Sequence, residues 1–176
     1  MREIKFRAWS NKYQHMFRVS EISQDRSGYT HGIVDAEFKN EFEPEFDSPF
    51  AWIGRVDFKK SSDGRVAALG QNPDDEPFYL MQYTGLKDKN GREIYEGDSY
   101  TAKHKLGKVY TGQVKYDLSF VFDIEGFEEL FINGVGAVKT NRTFDIHSFI
   151  KWFDEVEVIG NIYEDPELLE ASHASK

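Results

Sequence analysis

Apolar and polar residues alternate along much of the chain with a period of two. Ile4, Phe6 and Ala8 are interleaved with Lys5, Arg7 and Trp9, and Val109, Thr111 and Gln113 with Tyr110, Gly112 and Val114. Successive side chains of a strand point to opposite faces, so this period predicts half-buried strands. Glycine beside Asn or Asp interrupts the runs at Asp63-Gly64, Asn90-Gly91, Gly97-Asp98 and Asn133-Gly134. A chain reversal needs residues that tolerate positive φ, and these are the types that do. The densest case is segment 82–98, QYTGLKDKNGREIYEGD, which reads turn, strand, turn, strand. Asn90 and Gly91 are both expected at positive φ in a tight hairpin, with Lys87, Asp88 and Lys89 exposed beside it, and Gly97-Asp98 reverses the chain before Tyr100.

The pattern predicts a mainly β protein of the β-rich α+β class. Its N-terminal part consists of antiparallel hairpins. Residues 4–9 and 16–22 form the first, joined near 10–13. Residues 49–58 and 65–69 form the second around a turn at 61–64, and 78–83 is a further strand. The acidic, proline-bearing segments 41–49 and 71–77 read as loops. Over 94–163 the order of signals suggests a small SH3-like barrel. A strand opens after residues 95–98, another contains 112–114, a third covers 120–124 and 156–162 closes. Glycine next to a branched residue lets a strand bend as a barrel corner requires. Ile146, Phe149, Ile150 and Phe153 are spaced for one or two helical turns, and Asp165-Pro166 marks the start of a short C-terminal helix running towards Ala171. The expected division is an N-terminal hairpin region, 1–85, with a variable insert, and a barrel region, 86–176, with the helix; the two are separate or form one intertwined domain. Phe6, Trp52, Tyr83, Val114 and Ile159 are the expected core markers.

Three blocks carry a family resemblance. MREIKFRAW at 1–9, the 82–98 segment, and VEVIGNIYEDPELL at 156–169 lie at the start, middle and end of the chain. Together they resemble the YopX-type proteins carried by phages and prophages of Gram-positive bacteria. The resemblance implies a phage accessory role and self-association. It brings no catalytic residue. Residues 36–71 match no motif, and any property peculiar to this chain is expected there.

Composition narrows the chemistry. With 176 residues the chain can bury a sizeable core without covalent staples. It has no cysteine, which excludes disulfides, thiolate catalysis and Cys-ligated metal, and suits a reducing cytoplasm, here that of a bacterial host. No apolar run reaches transmembrane length, so no membrane partner is expected. Aromatic residues make up 15% of the chain although mean hydropathy is −0.62, a balance that favours strands. The five histidines lack metal-binding spacing; Asp145-Ile146-His147 is the nearest approach, and an acid and an imidazole beside a turn account for it. Gly134-Val135-Gly136 lacks the context of a dinucleotide loop and reads as a hairpin turn. Glu128-Glu129 reads as a solvated face among 31 carboxylates. No catalytic residue, cofactor or metal is assigned, and an enzyme is not expected.

Charge is uneven. The first 20 residues carry Arg2, Lys5, Arg7, Lys12 and Arg18 against Glu3, whereas 154–170 carries seven acids and no base. Within the expected barrel Lys103, His104, Lys105, Lys108 and Lys115 are interleaved with Tyr100, Tyr110 and Tyr116. Cations beside aromatic faces suit single-stranded nucleic acid, with Lys103, His104, Lys105, Lys108, Tyr110 and Lys115 as the candidate contacts. The formal net charge of −9 opposes that reading, because a phosphate backbone meets repulsion from the rest of the surface. The favoured expectation is a non-enzymatic module that binds itself, as a homo-oligomer burying more than about 1,000 Å² in total, or another protein of host or phage. Nucleic-acid association is the alternative.

Overall fold

A computed structural model describes residues 3–38, 50–60, 76–117 and 119–167. The chain forms two compact units that divide between Gln82 and Tyr83.

The N-terminal unit is built from β1 (Phe6–Ser10), β2 (His15–Gln24), β3 (Thr30–Phe38), β4 (Phe50–Lys60) and the first part of β5 (Phe78–Lys87). β1 to β4 pair antiparallel in chain order, as in Ala8↔Phe17, Val19↔Val34 and Val34↔Gly54. β5 lies parallel to the end of β4 through Phe58↔Phe78 and returns antiparallel to β1 through Ala8↔Leu80. The ladder therefore closes on itself, with a short β4–β5 contact at residues 58–60 as the closing seam. Ala8, Phe17, Val34, Phe58, Phe78 and Leu80 fill its core. Phe17 lies at the centre, with ring centroids 5.1 Å from Phe78 and 5.5 Å from Trp52, in the tilted and edge-on geometries that aromatic quadrupoles favour.

The expected first hairpin is β1–β2. The turn 61–64 and second strand 65–69 of the expected second hairpin lie outside the described residues, as do 41–49 and most of 71–77, and β4 takes β3 as an antiparallel partner. β3 is an unforeseen strand. Its inward positions, Gly32, Val34 and Ala36, are small and give a weak alternation. Arg18 on β2 donates to both carboxylate oxygens of Asp35 on β3, at 2.9 and 2.7 Å, and this bidentate pair holds the Asp35 carboxyl below the usual range.

The C-terminal unit contains the end of β5, β6 (Glu93–Tyr95), β7 (Asp98–His104), β8 (Val109–Asp117), β9 (Ser119–Ile132), β10 (Gly136–Asp145), α1 (Ile146–Trp152) and β11 (Phe153–Asn161). Its antiparallel sheet has the order β10-β9-β8-β7-β11, so the last strand returns beside the first of the meander. Inward positions repeat every second residue, with Tyr100 and Ala102 on β7, Val114 on β8 and Phe122 and Ile124 on β9. α1 begins at Asp145, whose carboxylate accepts from the Ser148 N–H at 2.8 Å. It lays Phe149 over Phe122, stacked at 4.0 Å between centroids. This helix is the one expected from the spacing, and Asp145 serves as its cap.

The 88–92 turn differs from expectation in two respects. Only Gly91 takes positive φ, at +81°, and Asn90 does not. The Gly91 N–H donates to the Asp88 carbonyl at 3.0 Å, so the loop is a tight turn followed by a single left-handed residue. Asp88, expected in solvent, is buried. Its Oδ1 accepts from the N–H groups of Asn90 and Arg92, both at 2.9 Å, and its Oδ2 from Val158 on β11 at 3.1 Å. Lys89 N–H adds a bond to the Val156 carbonyl at 2.8 Å, so the turn covers the outer edge of β11.

Gly97 takes positive φ at the expected reversal, where Asp98 accepts from the Tyr95 N–H at 2.8 Å. Tyr83 and Val114 are buried as expected, and Phe6 and Trp52 are half-buried. Ile159 is not in the core: Val156 and Val158 take the inward phase of β11 and Ile159 points out. At the C-terminus, Asp165 turns its carboxylate back to the Asn161 N–H at 3.2 Å, and Glu167 is helical; the rest of the expected helix lies outside the described residues.

Candidate functional site

β9 is the longest strand of the protein's described residues, and it outruns the core it serves. Up to Phe127 its inward residues pack under the sheet; from Glu128 to Val135 every residue is exposed. β9 and β10 continue there as a two-stranded arm, in the register Leu130↔Val138, Phe131↔Ala137 and Ile132↔Gly136. The Val135 N–H donates to the Ile132 carbonyl at 3.1 Å, with Gly134 at φ +85° and Gly136 at φ +94°, so Gly134-Val135-Gly136 is the hairpin turn foreseen.

The arm is fixed at its base by polar contacts. Asn141 Oδ1 accepts from the Gly126 N–H at 3.1 Å where the register shifts, and Arg142 pairs with Glu128 at 3.0 Å. Glu129 lies opposite Lys139, and both Glu128 and Glu129 are exposed to solvent. The bulge at Asn141 and the charge at Lys139 also blunt the outer edge of β10 against strand addition.

The tip is different. Leu130, Phe131, Ile132 and Val135 are all exposed, Phe131 at 79% and Val135 at 72%. By strand alternation Leu130 and Ile132 lie on one face of the ribbon and Phe131 on the other. Apolar residues on both faces, beyond the reach of the chain's own core, form a surface that water covers at a cost of about 25 cal/mol for each Å². The sequence reading passed over this segment. Its signal was the unbroken run Leu130-Phe131-Ile132 ending at an Asn-Gly turn, where a half-buried strand alternates.

The proposed nucleic-acid contacts do not form one stripe. Lys103 faces Glu155 across β7 and β11 at 3.5 Å, and Lys115 pairs with Asp123 at 2.8 Å. His104 is buried, stacked on Trp152 at 5.7 Å and edge-on to Phe153 at 5.5 Å. Tyr100 is fully buried, and its phenol is pushed up by that burial. Lys105 and Lys108 are exposed, with Lys108 Nζ 4.8 Å from the centre of the half-buried Tyr110 ring. Two of the three acids of β11 likewise find partners in their own unit, Glu155 with Lys103 and Glu157 with Lys89.

A cleft of about 200 Å³ in the N-terminal unit is floored by Tyr13, Trp52 and Phe78 and rimmed by Lys12, Arg55 and Asp57. It is smaller than the usual small-molecule site. Among the described residues no group of three or more His, Asp or Glu is placed to hold a metal ion, and no helix is long and apolar enough to cross a membrane.

The family model described as YopX protein matches residues 5–170. The chain belongs to the YopX family. No curated protein matches it. Among solved structures this YopX-family chain is similar to protein EF1440 from Enterococcus faecalis, with 27% identity and a TM-score of 0.52. The likeness covers 96% of this chain and 99% of that one, so it takes in both units. The three sequence blocks that suggested YopX fall on β1, on the 82–98 turns and on β11. Those are the closing strand of the first unit and the strand and turn that lock together in the second.

Proposed function

We propose that this YopX-family protein is a non-enzymatic binding module, of phage or prophage origin, that assembles with further copies of itself through the β9–β10 arm. The observation that carries the reading is the arm's exposed tip, Leu130, Phe131, Ile132 and Val135, apolar on both faces. Isolated two-stranded ribbons are marginal in water, and contiguous apolar surface of this kind marks a contact with another protein. A four-strand meander is followed, after a helical turn, by a fifth strand that returns beside the first, an order that supports the SH3-like reading of this unit.

The chain has no cysteine, so Val135→Cys creates a single thiol at the tip. Its rate of alkylation should fall by about fivefold or more when the protein is concentrated from below micromolar to tens of micromolar, as the tip becomes covered. A rate that does not change with concentration would overturn the reading.

A further inference from the structure

The β7–β8 turn and the end of α1 build a second surface, independent of the arm. The Lys105 N–H donates to the Trp152 carbonyl at 3.1 Å, tying the turn to the last residue of the helix. His104 braces both: its ring stacks on Trp152, and its Nδ1 accepts from the Leu106 N–H at 3.1 Å. Leu106 is thereby held at the tip of the turn, 89% exposed, with Trp152 and Ile150 exposed on the neighbouring helix end. Lys105, Lys108 and Lys151 are exposed on the same turn and helix end, with one exposed acid, Asp154, two residues beyond Trp152. Unlike Lys89, Lys103 and Lys115, none of the three forms an ion pair among the described residues. In a chain of net charge −9 this turn and helix end, an island on the surface, carry three cations free of ion pairs among the described residues against the single acid Asp154, beside exposed apolar groups.

Such a surface suits a ligand that is both acidic and apolar. Size selects among the candidates. A nucleic acid or an anionic bilayer extends beyond the island and meets the acidic remainder of the surface, whereas a short peptide segment stays within about one Debye length of the three lysines. The chain's own sequence contains a segment of this chemistry at 164–170, EDPELLE, with four carboxylates flanking Leu168-Leu169. Its described part, 164–167, starts away from the island of its own copy. β11 pairs Phe153 with His104 and Asn161 with Asp98, so the chain leaves β11 at the far end of β7, about 20 Å from the turn at the strand rise of ~3.3 Å per residue. It is held there: Glu164 N–H donates to Asn161 Oδ1 at 2.9 Å and Asp165 N–H to the Asn161 carbonyl at 3.0 Å. We infer that the surface formed by Leu106, Ile150, Trp152, Lys105, Lys108 and Lys151 binds the acidic segment 164–170 of a second copy.

The test titrates a synthetic peptide with the sequence of residues 162–176 against the full chain, followed by anisotropy of a dye on the peptide. Binding should weaken at least tenfold in Lys105→Glu/Lys108→Glu/Lys151→Glu, and severalfold in Leu106→Ser. These exposed positions leave folding intact, which circular dichroism confirms. Replacing the four acids of the peptide by Gln and Asn should abolish binding. Binding should persist in Leu130→Ser/Phe131→Ser/Ile132→Ser, which separates this surface from the arm. No binding of the peptide, binding indifferent to the three lysines, or binding lost with the arm variant overturns the inference. Tighter binding of oligo-dT or of vesicles containing phosphatidylserine at the same salt also overturns it, and assigns the island to a polyanion instead.

Discussion

Gly112→Val should destabilise the C-terminal unit by about 3 kcal/mol or more, the upper range for forcing bulk into a packed core. Gly112 lies on β8 directly opposite Tyr100 on β7. The Tyr100 ring crosses the glycine, is fully buried, and donates its hydroxyl to the Asp123 carbonyl on β9 at 3.2 Å. A Cβ at position 112 would lie 2.2 Å from that carbonyl oxygen and 2.6 Å from the Tyr100 hydroxyl. One neighbour is backbone in the adjacent strand and the other is wedged beside Phe122 and Phe149, so neither yields cheaply. Displacing Tyr100 also orphans its hydroxyl in the core. A thermal melt should show the transition of this unit lowered by more than about 10 °C. An unchanged melt would mean that β8 and β9 separate without cost, contrary to the packing described.

The second large effect is expected at Asp88. Asp88→Ala leaves the N–H groups of Asn90, Arg92 and Val158 without their acceptor, and releases the 88–92 turn from β11. The buried Val158 donor left unpaired costs about 1–3 kcal/mol and the two bonds to the exposed turn about 0.5–1.5 kcal/mol each, so a loss of about 3 kcal/mol in urea unfolding is expected. Asp88→Asn should be milder, because one carbonyl oxygen survives to serve Asn90 and Arg92 while an amide then opposes the Val158 donor. The pH dependence has a defined sign. Burial alone raises the Asp88 carboxyl, but the bonds from Val158, Arg92 and Asn90 outweigh it and hold the group below the ordinary carboxylate range. Its contribution is therefore complete above the unfolded value of about 4 and is lost as pH falls through the folded value. The gap between wild type and Asp88→Ala should narrow on acidification below about pH 4. A gap of constant size would contradict the ionised role.

What the sequence disclosed and what it concealed follow from the range of the forces involved. Turns and caps are local, so Gly91, Gly97, Gly134 and the helix at 146–152 were legible from their own neighbours. Pairing is not local. β3 is the antiparallel partner of β4, and its small inward residues give little contrast, so neither the strand nor its pairing was legible. Asp88 read as a surface acid because Asp beside Lys in a turn usually is one; its burial depends on β11, seventy residues away. Ile159 and His104 fail for a related reason. Apolar character places a residue in a core only when the strand phase agrees, and Val158 holds that phase on β11. His104 takes an inward position on β7, so a residue read as part of a basic stripe became a packing element. The arm's signal, the unbroken run Leu130-Phe131-Ile132 before an Asn-Gly turn, also fits a core strand, and where the core ends is set by packing and not by local sequence.

The self-association claim is tested most directly by mass. Light scattering on the wild-type chain and on Leu130→Ser/Phe131→Ser/Ile132→Ser, over micromolar to tens of micromolar protein, should return a multiple of 20.4 kDa for the first and a clearly smaller average mass for the second. A wild-type chain that stays monomeric throughout that range, or an arm variant that assembles as well as wild type, would contradict it.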